Sequence, residues 1–161
     1  MVFTRFVILY SMICLINAAL LTDLIVIALL LTTFSSKTLT HWYREFGLGA
    51  VLADVLVLVL VVWLANYLYQ GNLFIIAMIA VAIQLIHDVL FGLFIQQYRG
   101  NSRILNVFKG YVKEHGAYIL LADATMVVST VLLKHIFSTI TFNEILSVFL
   151  LYLVPYFVYS V

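Results

Sequence analysis

Several runs of more than 18 residues contain few charged side chains, and they constrain the fold more than any other feature of the sequence. Runs of that length and polarity can cross the hydrocarbon core of a bilayer as helices. Only 9% of the 161 residues are charged, whereas a soluble domain carries about 25%. The sequence therefore predicts an integral membrane protein made of a single domain.

Five transmembrane helices are predicted, at about residues 6–34, 46–69, 73–97, 116–137 and 145–161. These segments are apolar on every face, whereas the strands of a membrane barrel alternate apolar and polar residues. We therefore expect an all-α, polytopic membrane helical bundle.

The first apolar run also has features of a secretory signal peptide. Arg5 precedes it, and residues 17–19 have the sequence Asn-Ala-Ala. The run continues to Leu31, which is too long for the apolar part of a signal peptide. A retained first helix is therefore the expectation.

Lysine and arginine are distributed unevenly about the predicted spans. Six of the eight fall in the polar segments 35–45 and 98–114 or at their edges: Lys37, Arg44, Arg99, Arg103, Lys109 and Lys113. Arg5 and Lys134 fall near the other side. Because basic loops tend to stay in the cytoplasm, both polar segments are predicted to be cytoplasmic loops. The N-terminus is then outside and the C-terminus inside.

Residues 98–114 carry a helical pattern of their own. The apolar side chains share one helical face: Ile104, Leu105, Phe108, Tyr111 and Val112. Three cations lie elsewhere on the helix: Arg103, Lys109 and Lys113. This pattern is typical of a helix that lies on the membrane surface and binds anionic lipid headgroups. An ordinary basic loop that only sets topology is the alternative.

Two stretches of the chain match at an offset of 69 residues. Each has the order aromatic, spacer, cation, Glu, spacer, Gly, and then Asp seven residues after the Gly. The first runs from Trp42 to Asp54 and the second from Tyr111 to Asp123. The match favours an internal duplication over coincidence.

The duplication predicts how the chain is organised. An N-terminal span (1–41) is followed by a first two-helix repeat (42–97) and a second (98–161), which begins with the interfacial segment 98–114. Two helices per repeat keep both repeats in the same orientation. We therefore expect a pseudo-twofold axis along the membrane normal, as in parallel transporter repeats.

Four of the seven acidic residues lie inside predicted spans: Asp23, Asp54, Asp88 and Asp123. Asp23 is eleven residues before Phe34, Asp54 ten after Arg44, Asp88 ten before Tyr98 and Asp123 ten after Lys113. Each is therefore about 15 Å from the cytoplasmic edge by helix rise. That depth is near the centre of a hydrocarbon core about 30 Å thick. Gln84 and His87 are expected beside Asp88. These six residues form the predicted proton- or ion-binding layer.

An ionised carboxylate at mid-membrane costs several kcal/mol. The aspartates are therefore expected to share protons, to hold a cation, or to pair with a protonated His87. One interpretation is a channel or transporter for protons or small monovalent cations. The alternative is a non-catalytic structural protein in which protonated aspartates join helices by hydrogen bonds.

Enzymatic chemistry is not expected. The chain length resembles that of lipoprotein signal peptidases, but Phe142-Asn143-Glu144 lacks the Ala-Asp that follows in that family. The Gly-x-Gly-Asp motif of presenilin-type proteases is absent from the sequence. An intramembrane aspartyl hydrolase is therefore a remote alternative. No cofactor, metal or nucleic-acid partner is predicted, and a homo-oligomer is left open.

The order of four motifs resembles uncharacterised multi-span membrane proteins of large DNA viruses that infect algae and protists. The motifs are His41-Trp-Tyr-Arg-Glu-Phe-Gly-Leu-Gly-Ala-Val-Leu-Ala-Asp54, Gln84-Leu-Ile-His-Asp88, Gly110-Tyr-Val-Lys-Glu-His-Gly116 with Ala122-Asp123, and Leu153-Val-Pro-Tyr156. The resemblance covers about residues 42–159 and implies no activity. It implies a host membrane or the lipid layer beneath a viral capsid, and the second would favour a structural role.

Overall fold

A computed structural model describes residues 2–33 and 35–161, with side chains from residue 9 onward. Within those residues the chain is all-helical, as predicted. The helices are α1 (Val2–Thr32), α2 (Lys37–Phe46), α3 (Leu48–Leu68), α4 (Leu73–Gln97), α5 (Arg103–His115), α6 (Tyr118–Phe137) and α7 (Asn143–Val158). Four of them, α1, α3, α4 and α6, are long and apolar enough to cross a membrane. The chain is a multi-pass integral membrane protein. The side chain of Arg5, used above to predict orientation, lies outside the described residues.

The predicted fifth span is the shorter helix α7. Its 16 residues rise about 24 Å, less than a hydrocarbon core of about 30 Å. At its start, the Asn143 carbonyl accepts a hydrogen bond from the Asn17 side chain of α1 (2.9 Å). At the end of the chain, the Val161 carbonyl accepts one from Arg44 of α2 (3.0 Å). The chain therefore returns through the bundle to the end where α2 lies, and the count of five spans stays a prediction.

Helix α1 lies at the centre of the bundle and contacts α3, α6 and α7. Over half of its span is buried (56%), against 17% for α4 and for α6. Ala18 and Ala19 of α1 have no exposed surface. Their small side chains let the neighbouring helices approach α1 closely. The outer faces of α4 and α6 are apolar and exposed, as expected of surfaces that face lipid.

Residues 35–45 were predicted to be a polar loop, and this prediction was wrong. Lys37–Phe46 form helix α2, which begins at a Ser36 cap whose hydroxyl accepts a hydrogen bond from the Leu39 N–H (3.1 Å). Trp42 and Tyr43 are buried on its inner face. Residues 39, 42, 43 and 46 are apolar and have the spacing of an amphipathic helix. The charged residues between and beside them make this spacing hard to recognise in the sequence.

Two glycines form the corners between the amphipathic helices and the spans that follow them. Gly47 has φ 51 and ψ −124 between α2 and α3, and Gly116 has φ 56 and ψ −131 after α5. Among the described residues, these are the ones with positive φ. A Cβ atom is strained at such angles, so each corner requires glycine.

Replacing Gly47 by alanine should destabilise the protein by roughly 1–3 kcal/mol, because alanine must adopt the strained backbone. Gly49 provides a matched control, since a Cβ built there meets no atom within 4 Å. Gly49→Ala should be neutral or stabilising by up to about 1 kcal/mol. Thermal unfolding in detergent measures both, and equal melting temperatures would contradict the corner assigned to Gly47.

Helices α2 and α5 are linked through Glu114 of α5. Its carboxylate accepts hydrogen bonds from the backbone N–H groups of Lys37 (3.0 Å) and Thr38 (2.9 Å), and from the Thr38 hydroxyl. The negative charge therefore lies at the N-terminus of α2, where the helix dipole favours it. In the other direction, Glu45 of α2 pairs with Arg103, the first residue of α5 (2.5 Å).

The hydrogen bonds between Glu114 and the start of α2 should remain at acidic pH. Hydrogen bonds from Thr38, first its hydroxyl and then its N–H, lower the pKa of Glu114 from 4.5 to about 2. A lowered pKa in the folded state stabilises the protein above the ordinary value of 4.5, and this contribution is lost as the pH falls through about 2. The amide resonance of Thr38, followed by NMR in micelles, should shift within that window. Glu114→Gln should remove the transition, whereas an unchanged transition would contradict the assignment.

Candidate functional site

The first part of the site is built where α2 folds back against α3. Asp54 lies in the second turn of α3, and Gly47 turns the buried face of α2 towards it. The Trp42 indole N–H donates to Asp54 Oδ2 (3.0 Å), and the Tyr43 hydroxyl lies 3.1 Å from the same oxygen. One carboxyl of α3 is thus held by two aromatic side chains of α2.

The same tyrosine also reaches the central helix. Its hydroxyl lies 2.8 Å from Oδ1 of Asp23 on α1, a residue with no exposed surface. Asp23 and Asp54 therefore lie side by side in the bundle, with a single hydroxyl between them. We call Asp23, Tyr43 and Asp54 the α1–α3 relay.

Counting hydrogens limits the charge of the α1–α3 relay. A tyrosine hydroxyl has one hydrogen to donate, and an ionised carboxylate only accepts. With both acids ionised, one of the two short contacts would have no hydrogen, and two negative charges would face each other across a hydroxyl. The distances fit one additional proton, so that one acid donates to the tyrosine oxygen while the tyrosine donates to the other.

Two further observations favour a negative charge on Asp54. The Trp42 N–H supplies Asp54 with a second donor. Asp23 Oδ2, in contrast, is buried and has no hydrogen-bond partner within the described part of the chain. An ionised oxygen left in that condition carries a large desolvation cost. These contacts favour an acid at Asp23 and a carboxylate at Asp54.

A second group of polar side chains lies on α4. The Gln84 amide donates to Asp88 Oδ1 (2.7 Å), and Nδ1 of His87 lies 3.1 Å from the same oxygen. The other oxygens of this group, Gln84 Oε1 and Asp88 Oδ2, are buried without a partner in the described residues. The three side chains predicted to cluster on α4 do so, and two acceptors stay unsatisfied.

Asp123 of α6 stands apart from both groups. It is half-buried and makes no hydrogen bond to any residue that the structure describes. It nevertheless lies within electrostatic reach of Asp88 and Asp54. Of the four predicted aspartates, Asp23 and Asp54 are the two that share a hydrogen-bond partner in the described structure.

The depth predicted for two of the aspartates needs correction. The 15 Å prediction counted from Arg44 and Lys113 as if each lay on one continuous helix with its aspartate. Those residues belong to α2 and α5, and the spans begin only at Leu48 and Tyr118. By helix rise, Asp54 and Asp123 are about 9 Å and 8 Å from these ends. Both lie nearer the end of the bundle that α2 and α5 cover.

A separate polar cluster joins the other half of α1 to α7. The buried Asn143 side chain donates to the carbonyls of Phe137 (2.7 Å) and Ile140 (2.8 Å). Ser147 donates to Asn17 Oδ1 (2.8 Å). Apart from Asn143 Oδ1, which is buried without a partner in the described residues, these groups satisfy one another, as structural polar contacts between membrane helices do.

The predicted headgroup-binding cations are partly engaged within the protein. Arg103 pairs with Glu45, and Lys109 donates to the Tyr98 carbonyl (2.9 Å). Lys113 is exposed. The segment that carries them forms helix α5, which is the first of the two predicted alternatives, and its role at lipid headgroups stays a prediction.

Sequence reasoning missed Trp42 and Tyr43 as partners of the acidic residues. Trp42 had been noted only as the aromatic position of the predicted repeat. The amphipathic spacing of α2 was the available signal, because it places positions 42 and 43 on the face that turns inward. Which acid they contact depends on the corner at Gly47.

Within the described residues, no three His, Cys, Asp or Glu side chains are grouped so as to hold a metal ion. Comparison with known proteins gave no match to a family model, to a curated protein or to a solved structure.

Proposed function

We propose that this membrane protein conducts or transports protons through its aspartate layer. The observation that carries the proposal is the single Tyr43 hydroxyl between the carboxyls of Asp23 and Asp54 (2.8 and 3.1 Å). Such a hydroxyl can take a hydrogen from one acid while giving its own to the other. The proton then moves from α1 to α3 with no movement of heavy atoms.

The free-energy cost of placing several aspartates within the membrane supports a functional role for them. Ionisable side chains within a membrane are expensive, and they usually mark ion or proton pathways. Coupled acids that share a proton lower this cost and keep the proton mobile. Asp88 and Asp123 would extend the pathway from α3 towards α4 and α6, the helices that pack against it. A small monovalent cation is the second candidate for transport, because Gln84 Oε1 and Asp88 Oδ2 are unsatisfied oxygen ligands.

Liposomes test the proposal directly. Purified protein should dissipate an imposed pH gradient faster than empty vesicles do. Asp54→Asn combined with Asp123→Asn should return the rate to that of empty vesicles, while Glu144→Gln, an acid-to-amide change at an exposed site, should not. Vesicles with wild-type protein that stay as tight as empty ones, for protons and for monovalent cations, would contradict the proposal.

We also infer an internal duplication. The two glycine corners have φ values of 51 and 56 at matching positions of the two predicted repeats. The matching residues Glu45 and Glu114 each reach the first turn of the opposite amphipathic helix. Such reciprocal contacts are typical of a twofold axis. A cytoplasmic location of α2 and α5 follows from the basic residues that they carry.

The alternative is a structural membrane protein, for example in the inner membrane or envelope of a virus. The buried polar cluster of Asn17, Asn143 and Ser147 favours it, because these residues only join helices. A structural role predicts that the double Asp→Asn variant keeps full function, since asparagine still forms hydrogen bonds. Loss of function in a variant that folds normally would count against this alternative.

A further inference from the structure

A histidine lies on the outer surface of α4, well inside the span. The His87 side chain is 45% exposed, against 11% for the neighbouring Asp88. His87 is ten residues from Gln97 and fourteen from Leu73, which is about 15 Å and 21 Å by helix rise. Leu90, one turn further along the same helical face, is also exposed. The exposed part of the imidazole therefore lies on the apolar outer face that α4 presents to lipid.

This exposure distinguishes His87 from the other acidic, basic and histidine side chains that the structure describes within the four spans. His135 is also exposed, but it lies two residues from the end of α6. The remaining ones are buried or half-buried: Asp23, Asp54, Asp88, Asp123 and Lys134. Ionisable side chains within membranes almost always face the interior of a bundle or a water-filled cavity. In a single copy of the chain, His87 departs from that rule.

Contacts within the protein hold the imidazole in place. Its Nδ1 lies 3.1 Å from Asp88 Oδ1, which also accepts a hydrogen bond from the Gln84 amide (2.7 Å). The Phe91 ring stacks on the imidazole, with centroids 5.9 Å apart and an angle of 14° between the planes. Phe91 in turn packs edge-on against Phe108 of α5 (5.2 Å). The imidazole Nε2 makes no hydrogen bond to any residue that the structure describes. The ring is therefore fixed on the outer face of α4 with one nitrogen unsatisfied.

The chemistry of the partner follows from the free nitrogen. An acceptor oxygen beside Nδ1 places a hydrogen on that nitrogen, and Nε2 of the neutral ring then accepts. Lipid chains offer no donor, and a polar group without a partner in hydrocarbon costs free energy. Hydrogen bonds between polar side chains join helices in membranes. A helix that supplies a donor at the depth of His87 is therefore the partner that this nitrogen fits.

A second copy of the chain supplies that donor. A twofold axis along the membrane normal places equivalent residues of two copies opposite each other at one depth. A protonated imidazole donates from both nitrogens, so Nε2–H of one copy can donate to Nε2 of the other. The ionised carboxyl of Asp88 beside the protonated ring balances its positive charge. The contact is self-complementary, as a twofold interface requires.

We propose that α4 forms a homodimer interface in the membrane, in which the two His87 side chains hydrogen-bond to each other through Nε2. Each copy then completes the polar group that Gln84, His87 and Asp88 form in the other. Leu90 packs across the same axis, one turn from the histidines. The inference does not depend on the proposed function, because the contact joins two copies whether or not the protein conducts protons.

Cysteine cross-linking locates the interface in a protein that keeps His87. Leu90→Cys places a thiol beside the axis. Leu151→Cys is the matched control, because Leu90 is 61% exposed on α4 and Leu151 is 58% exposed on α7, a helix that packs against α1 and α3. In liposomes treated with copper phenanthroline, Leu90→Cys should form a covalent dimer, since a disulfide requires Cα atoms within about 7 Å. Cys14 is buried and should not react. Failure of Leu90→Cys to cross-link, or equal cross-linking of Leu151→Cys, would overturn the interface.

The contribution of His87 is measured by the dissociation constant of the dimer in liposomes, from energy transfer between labelled copies as lipid is added. His87→Leu should raise this constant by roughly three- to twentyfold, the factor for one hydrogen bond between membrane helices. His87→Gln, which keeps a donor and an acceptor, should weaken the dimer less. His135→Leu, at the exposed histidine of α6, should leave the constant unchanged. Wild-type protein that stays monomeric at every protein-to-lipid ratio, or a His87→Leu variant that dimerises as the wild type does, would overturn the proposal.

Discussion

Replacing Tyr43 by phenylalanine is expected to slow proton flux through the protein by at least about a hundredfold, the lower range for loss of a positioned proton-transfer group. Phenylalanine keeps the buried ring but removes the hydroxyl between Asp23 and Asp54. The two acids then have no shared hydrogen-bonding group. Flux into liposomes under an imposed pH gradient measures the effect.

Tyr118→Phe is the matched control, because Tyr118 is 79% exposed on α6. That variant should conduct as the wild type does. Circular dichroism and gel filtration should show both variants to be folded. Normal flux through a folded Tyr43→Phe variant would rule out the tyrosine as the connection between α1 and α3.

Replacing Asn143 by alanine is expected to destabilise the protein by roughly 2–4 kcal/mol, the largest stability effect predicted here. The change removes the amide group that donates to the Phe137 and Ile140 carbonyls and to the Tyr10 hydroxyl of α1, and it thereby weakens the contact between α7 and α1. Asn143 has no exposed surface, so water cannot replace the lost hydrogen bonds. The free energy of unfolding in bicelles measures the loss.

Asn101→Ala is the comparison, since Asn101 is exposed and only accepts a hydrogen bond from Asn106 (3.3 Å). It should change stability by no more than about 0.5 kcal/mol. A similarly small effect at Asn143 would show that the buried polar cluster contributes little to holding α7 against α1.

The long apolar helices could be predicted from the sequence, because an apolar run of about twenty residues identifies a membrane-spanning helix whatever its individual residues are. Helix α4 begins and ends at the predicted residues, Leu73 and Gln97, and α3 differs from its predicted span by no more than two residues. The helical character of α5 was predictable from the spacing of its apolar residues.

The detail of the site could not be predicted in the same way. Helix α2 has ten residues, too few for hydropathy alone to distinguish a surface helix from a loop. The predicted depth of Asp54 assumed a straight helix, but Gly47 breaks it. The contact between Tyr43 and Asp23 joins segments twenty residues apart, and no local pattern specifies such a pairing.

Infrared spectroscopy of the protein in lipid nanodiscs, with isotope-labelled aspartate, tests the central claim that Asp23 and Asp54 share one proton through Tyr43. At neutral pH the wild type should show a carboxylic acid C=O band that shifts in Tyr43→Phe and disappears in Asp23→Asn. A spectrum in which neither substitution alters any carboxylic acid band would mean that both acids are ionised, and it would contradict the shared proton.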